Sequence, residues 1–321
     1  MKILVTGGLG LIGHNIVRRL EQQGHKVFIT DIKTNYGLVP QTELDYLLVE
    51  RRKKITTDRI HAIDISDCDG IDWLVRTYQP DTILHLASFP RQKVVNVNPQ
   101  LGSQTMSEGL LNLLEATKKH NTAKFVYVSS SMVYGDFDND VTEDRECHPI
   151  GQYGIMKLAG EWLVKDYARR TGMSYMIIRP SAVYGPLDVE DRVVSKFILT
   201  AMRGGTIKVN GATETLDFTY VDDAADGIVA ATLSEYKNKT YNITRSHSKT
   251  LLEAAKLAVQ IVGKGTIEVR DKDEDFPSRG ALNIQAARHD LGFNPKVDID
   301  EGFQRYYEWL KDSIYWSKKT V

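Results

Sequence analysis

The chain has 321 residues, 42% of them hydrophobic and 26% charged, with a formal net charge of −1, the make-up of an ordinary soluble globular protein with one large or two unequal units. Near-neutrality argues against nucleic acid or an anionic membrane as the main partner, and the densest basic run, Arg51-Arg52-Lys53-Lys54, is predicted to be a solvated loop. Cys68 and Cys147 lie far apart without disulfide-framework or metal-ligand spacing, and no His-Glu-x-x-His occurs, so neither disulfide nor metal is expected and a reducing cytoplasm is the expected compartment.

The chain opens on a strand-like Lys2-Ile3-Leu4-Val5, which leaves no room for an export signal, and no apolar run approaches the roughly 18 residues that span a bilayer. That first strand runs into TGGLGLIG and a helical pattern to Gly24. KVFIT (26–30), TILHLA (82–87), FVYVSSS (125–131) and YMIIRP (175–180) read as further strands, with helical patterns around 110–119 and 153–170 between them. Strand–helix alternation of this kind implies βαβ units and a parallel sheet covered on both faces. After Pro180 the rhythm breaks into a Gly185-Pro186 turn, helical stretches near 191–203, 222–234, 249–263 and 300–311, and short strands between them. The expected architecture is α/β: a Rossmann-type doubly wound parallel sheet from residues 1–180, with 217–244 returning to it, and a smaller mixed α/β substrate domain from 181–321.

In TGGLGLIG the glycines at 7, 10 and 13 follow a strand and open a helix, the context in which such a turn holds a dinucleotide. Gly7 permits the turn, Gly10 lets the backbone approach a pyrophosphate, Gly13 allows close packing, and Leu11 and Ile12 start the helix whose dipole favours the anion. Asp31 ends the second strand eighteen residues after Gly13, where its carboxylate can accept from an adenosine ribose and repel a 2′-phosphate. NAD is therefore expected rather than NADP, although Lys33 two residues on is a cation that would tolerate the phosphate. Asp64 and Ile65 are candidates to bracket the adenine, and Leu86, Ala87 and Ser88 should lie beside the cofactor at the sheet's carboxyl edge.

Tyr153 and Lys157 stand four residues apart and so share a helix face. A neighbouring ammonium and a cationic nicotinamide both favour the phenolate, so Tyr153 can take a proton from a substrate hydroxyl while the carbon beneath it gives up hydride. Lys157 would also hold the nicotinamide ribose. Upstream, Val128-Ser129-Ser130-Ser131-Met132 carries a strand into hydroxyls that can stabilise charge on the reacting oxygen.

TGGLGLIG, Asp31, HLAS (85–88), SSSMVYG (129–135), Tyr153 with Lys157, RPSAVYGP (179–186), DFTYVDDAADGI (217–228) and YNI (241–243) occur in one order along nearly the whole chain. In this the sequence resembles the extended short-chain dehydrogenases/reductases, the family of NAD-dependent nucleotide-sugar epimerases and dehydratases. The resemblance selects Ser130 as the catalytic hydroxyl and leaves Ser129 and Ser131 to packing or support. It places Pro180, Ser181 and Val183 against the nicotinamide and matches Arg279 to an arginine that grips the nucleotide pyrophosphate. Arg91 and Lys93 are further candidates for phosphate or sugar, with Ser131, Met132 and Ala182 along the substrate. It also implies a homodimer paired through helices around 101–119 and 152–170.

The family's shared step oxidises a sugar hydroxyl, usually at C4, to a ketone. Relatives that then eliminate water carry an Asp-Glu pair directly after the catalytic hydroxyl, where this chain has Ser131 and Met132; a methionine transfers no proton, which disfavours 4,6-dehydration. C4 epimerisation needs no further group and is the expected reaction, ahead of a net C4 dehydrogenase that releases the keto sugar. A scaffold or sensor that only binds NAD(H) is the non-enzymatic alternative. The chain departs from the family pattern at Met106 and Ala182, where asparagine is usual, and at Leu216, where arginine is common, so an altered sugar pocket is expected. His148 is a loop histidine near the catalytic tyrosine with no assigned role.

Overall fold

The computed structural model describes residues 1–274 and 276–317. The first half alternates strand and helix: β1 (Lys2–Thr6), α1 (Leu11–Gln22), β2 (Lys26–Thr30), α2 (Gln41–Arg52), β3 (Ile60–His61), α3 (Cys68–Tyr78) and β4 (Thr82–His85). Two short helices, α4 (Gln92–Val97) and α5 (Pro99–Ser103), lead through a π-helical turn at Gln104–Glu108 into α6 (Gly109–Lys119). Then come β5 (Lys124–Val128), a 3₁₀ turn at Ser131–Tyr134, the long α7 (Gln152–Thr171) and β6 (Ser174–Pro180).

The chain continues with β7 (Val183–Tyr184), α8 (Val193–Met202), β8 (Thr206–Asn210), β9 (Thr215–Asp217), β10 (Thr219–Tyr220), α9 (Val221–Leu233) and β11 (Lys239–Ile243). It ends with β12 (Ser248–Thr250), α10 (Leu251–Val262), β13 (Thr266–Arg270), α11 (Gln285–Leu291), α12 (Ile299–Asp312) and α13 (Ile314–Ser317).

Seven strands form one parallel sheet in the order β11-β6-β5-β4-β1-β2-β3. Its inner strands are apolar runs buried end to end, because helices cover both faces. On one face Ile3, Val5, Ile16, Val17 and Leu20 pack with Ile228 and Val229 of α9; on the other, Leu4, Ile83 and Phe125 meet Ile71, Leu110, Leu114 and Val164 of α3, α6 and α7. A second core gathers Phe197 and Ile198 of α8, Ala254 and Ala258 of α10, and Phe303, Tyr306 and Leu310 of α12 around three two-stranded pieces, β10-β7, β12-β9 and β13-β8. The chain is thus a Rossmann-type α/β protein with smaller mixed sheets in its C-terminal part. Strand order reverses between β1 and β4, and the crevice at their carboxyl ends is where open α/β sheets bind ligands. Among the described residues no helix is long and apolar enough to cross a membrane.

One expectation is corrected here. Arg51 and Arg52 are not in a solvated loop but close α2; Arg52, Lys53 and Lys54 are exposed and Arg51 is not. Arg51 is buried because its guanidinium finds backbone carbonyls on either side, Leu9 at 3.1 Å and Leu187 at 2.7 Å; a charge run in the sequence gives no sign of which cation has such partners.

The turn between β1 and α1 is the tightest part of the crevice. Gly7 has φ +71°, and a Cβ there would lie 2.8 Å from the Ala87 nitrogen; a Cβ on Gly13 would lie 2.2 Å from the Gly7 carbonyl oxygen. Gly13→Ala cannot be accommodated without moving the turn, so it is expected to destabilise the fold by about 2 kcal/mol or more, measured by urea unfolding; a loss below about 0.5 kcal/mol would show that the turn yields freely.

Candidate active site

The glycine-rich turn, the end of β2 and the end of β4 enclose a cavity of about 230 Å³. Gly7, Gly10 and Leu11 line it on one side, Asp31 and Lys33 at the end of β2, Asp64 and Ile65 after β3, and Leu86, Ala87 and Ser88 after β4. These are ten of the residues expected to hold a dinucleotide. Ile12 and Gly13 lie just behind, in the first turn of α1. Asp31 does more than face the cavity: its two carboxylate oxygens accept from the backbone N–H of Leu9 and of Lys33, each at 2.9 Å. Lys33 itself has φ +55° and an exposed side chain.

Beyond β5 the 3₁₀ turn presents the serines. Ser130 caps it, its Oγ accepting from the Met132 N–H at 3.2 Å, and shares a hydrogen bond with the Tyr153 hydroxyl. Tyr153 and Lys157 occupy the first turns of α7, and the Lys157 ammonium sits 5.9 Å from the Tyr153 ring centroid while donating to the Val128 carbonyl at 2.8 Å. The structure therefore brings Ser130, Tyr153 and Lys157 together at the carboxyl end of β5. Burial pushes the Tyr153 phenol up, and the nearby positive charge of Arg192 and the Ser130 hydrogen bond oppose that shift. Burial also pushes Lys157 down to about 7, with Glu161 acting against it. Both shifts penalise charge, so a charged phenolate or ammonium here needs an opposing charge beside it.

The serine turn is anchored from below. Ser129 Oγ donates to Glu161 at 2.6 Å, and Glu161 forms a fully buried bidentate pair with Arg179 of β6 at 2.6 and 2.9 Å. Arg179 lies over the Tyr134 ring at 4.7 Å, and the Tyr134 hydroxyl donates to Asn242 of β11 at 2.8 Å. Ser131 and Met132 are buried within the turn.

Other expected residues are distributed less simply. Pro180 ends β6; Ser181 is buried, with no hydrogen-bond partner for its Oγ among the described residues; Val183 begins β7. Ala182 between them has φ +37°. Arg279 is largely enclosed, and burial takes its guanidinium down to about 10, with Glu214 the opposing charge; its Nε has no partner among the described residues. Arg91 does not line the cavity but pairs with Asp191, and Lys93 is exposed. His148 is exposed beside Glu146. No cluster able to hold a metal occurs among the described residues.

Sequence reasoning missed Tyr36, Arg51, Thr105, Asp188 and Arg192, all of which line the cavity. Arg192, which donates to the Pro90 carbonyl at 3.1 Å, follows the Gly185-Pro186 turn by a few residues, and that turn is the signal of its place. Arg51 carried no such signal.

Fold and site together describe a Rossmann-type protein with a serine–tyrosine–lysine group at the carboxyl edge of its sheet. Residues 3–244 match the NAD dependent epimerase/dehydratase family, and the chain belongs to that family, whose members act on nucleotide sugars. It is similar to a putative UDP-glucose 4-epimerase of Methanocaldococcus jannaschii, 29% identical over 97% of this chain and 99% of the relative. It is also similar to a dTDP-glucose 4,6-dehydratase of Neisseria meningitidis, 27% identical over 100% of this chain and 96% of the relative. The structure of a UDP-glucuronic acid 4-epimerase of Bacillus cereus, solved with UDP-glucuronic acid and NAD, superposes with a TM-score of 0.88 at 28% identity, covering 97% of this chain and 99% of that one.

Glu161→Ala would leave Arg179 buried without its partner and Ser129 without its acceptor. A loss of about 3–5 kcal/mol in stability is expected, read by chemical unfolding; a loss under about 1 kcal/mol would show that the network does not hold the turn.

Proposed function

We propose that this protein is an NAD-dependent nucleotide-sugar 4-epimerase. The observation that carries the reading is the convergence of Ser130, Tyr153 and Lys157 beside a glycine-lined cavity whose second-strand carboxylate is Asp31. The cradle suits NAD: backbone N–H groups and the start of α1 favour a pyrophosphate, the close approaches at Gly7 and Gly13 leave no room for side chains, and Asp31 suits a free ribose. NAD, when bound, would supply the hydride acceptor and a positive charge that favours the phenolate.

Tyr153 then removes the proton from the sugar's C4 hydroxyl, Ser130 donates to that oxygen as charge develops, and Lys157 holds the phenolate and the nicotinamide ribose. Inversion would follow when hydride is given back to the opposite face of the 4-keto sugar and Tyr153 returns its proton to the C4 oxygen. Arg279, with its unpartnered Nε, is the proposed grip on the nucleotide pyrophosphate, and residues 181–321 supply most of the sugar site. The M. jannaschii and B. cereus relatives support this reading by their names. A net C4 dehydrogenase is the second reading, since it needs the same three residues.

The protein is further proposed to work as a homodimer. Ile155 and Trp162 lie seven residues apart on α7, 52% and 64% exposed, and Leu111 of α6 is 37% exposed, an apolar strip that a second copy would cover. Trp162→Glu is expected to shift the protein to monomer in sedimentation; an unchanged dimer would place the interface elsewhere, and a monomeric wild type would remove the claim.

Tyr153→Phe is expected to keep NAD binding and lose turnover by about 10²-fold or more; retained turnover would dismiss Tyr153 as the base. Lys157→Met removes the cation that favours the phenolate, so the rising limb of the pH–rate profile is expected to move to higher pH. A limb that stays in place would show that Lys157 does not act on Tyr153.

A further inference from the structure

Three side chains hold the glycine-rich turn from behind. Asp31 accepts from the Leu9 N–H at 2.9 Å, Arg51 donates to the Leu9 carbonyl at 3.1 Å, and the His14 Nδ1–H donates to the Gly10 carbonyl at 2.9 Å. His14 is buried and neutral, its Nε2 accepting from Asn15 at 3.2 Å. The N–H groups of Gly7, Leu9 and Gly10 are taken by Thr30, Asp31 and the Gly7 carbonyl, and with the Leu9 and Gly10 carbonyls held by donors it is the start of α1 that is left to an anion.

Arg51 alone of the three reaches a second segment. Its Nε and Nη2 donate to the Leu187 carbonyl at 3.2 and 2.7 Å. Leu187 is buried at φ +71°, a conformation that branched, bulky residues rarely adopt. The next residue, Asp188, lines the cavity with Arg192. One buried guanidinium therefore spans from the cofactor turn to the loop after β7 through carbonyls, with the carboxylates of Asp188, Asp31 and Glu43 near enough to offset its charge.

We propose that Arg51 is a positioning residue for the bound dinucleotide: it fixes the glycine-rich turn and the 185–192 loop in one geometry, and pyrophosphate affinity depends on it. The proposal rests on the reading of the turn as the NAD cradle. A lysine keeps the charge but lacks the planar fork that serves two carbonyls at once, so Arg51→Lys isolates the geometry.

The test compares full-length wild type, Arg51→Lys and Arg51→Gln by calorimetric titration with NAD and with ADP-ribose, by ligand-observed NMR with adenosine, and by thermal unfolding without ligand. Arg51→Lys is expected to weaken NAD and ADP-ribose about ten-fold or more, to leave adenosine within about two-fold, and to unfold within a few degrees of wild type. Arg51→Gln is expected to weaken the two pyrophosphate ligands further. Wild-type affinity for NAD in Arg51→Lys, or equal weakening of adenosine and ADP-ribose, would overturn the proposal and leave Arg51 a brace of the fold. A wild type that binds neither NAD nor ADP-ribose would instead overturn the cofactor reading itself.

Discussion

The site depends on one constraint: a chain reversal between β1 and α1 must present the N–H groups at the start of α1 while the polar groups of the turn behind them are satisfied. Gly7 and Gly13 make the reversal sterically possible, but glycine alone does not choose its orientation. That choice is made by Asp31 on the Leu9 N–H and by Arg51 and His14 on the carbonyls of Leu9 and Gly10. Asp31 thus has two tasks, shaping the turn and facing the cavity, and its position at the end of β2 serves both.

A second buried network does the equivalent work at the chemical end. Glu161 on α7 meets Arg179 on β6 and Ser129 after β5, so the helix that carries Tyr153 and Lys157 is fixed to the turn that carries Ser130. Buried ion pairs of this kind add little net stability but are costly to break, and their value here is geometric. The burial that raises Tyr153 and lowers Lys157 makes an isolated charge unfavourable in the site.

Much of this was legible in the sequence because it rests on local pattern. Strand–helix alternation exposed the parallel sheet, the glycine spacing the turn, and the four-residue interval the shared face of Tyr153 and Lys157. What was hidden depends on contacts between distant segments: Arg51 looked like one of four surface cations until Leu9 and Leu187 came to it, and Asp188 and Arg192 enter the cavity only because the chain doubles back after β7. Of the departures from the family pattern, those at Leu216 and Met106 have an apolar setting and that at Ala182 has no structural explanation. Ala182 stands at φ +37°, where asparagine is more readily tolerated than alanine. Leu216 is buried in the second core, and Met106 packs with Phe89 and Val95 against Tyr153, which makes the wall beside the phenol apolar.

The most direct test of the account is to incubate the protein with NAD and a panel of UDP-, GDP-, CDP- and dTDP-sugars in D₂O and follow the sugar protons by NMR. A 4-epimerase is expected to invert one sugar at C4, with the C4 hydrogen retained and no net reduced nicotinamide, because the same hydride is removed and given back. Solvent deuterium at C5 with loss of water, or a released ketone with stoichiometric reduced nicotinamide, would contradict it.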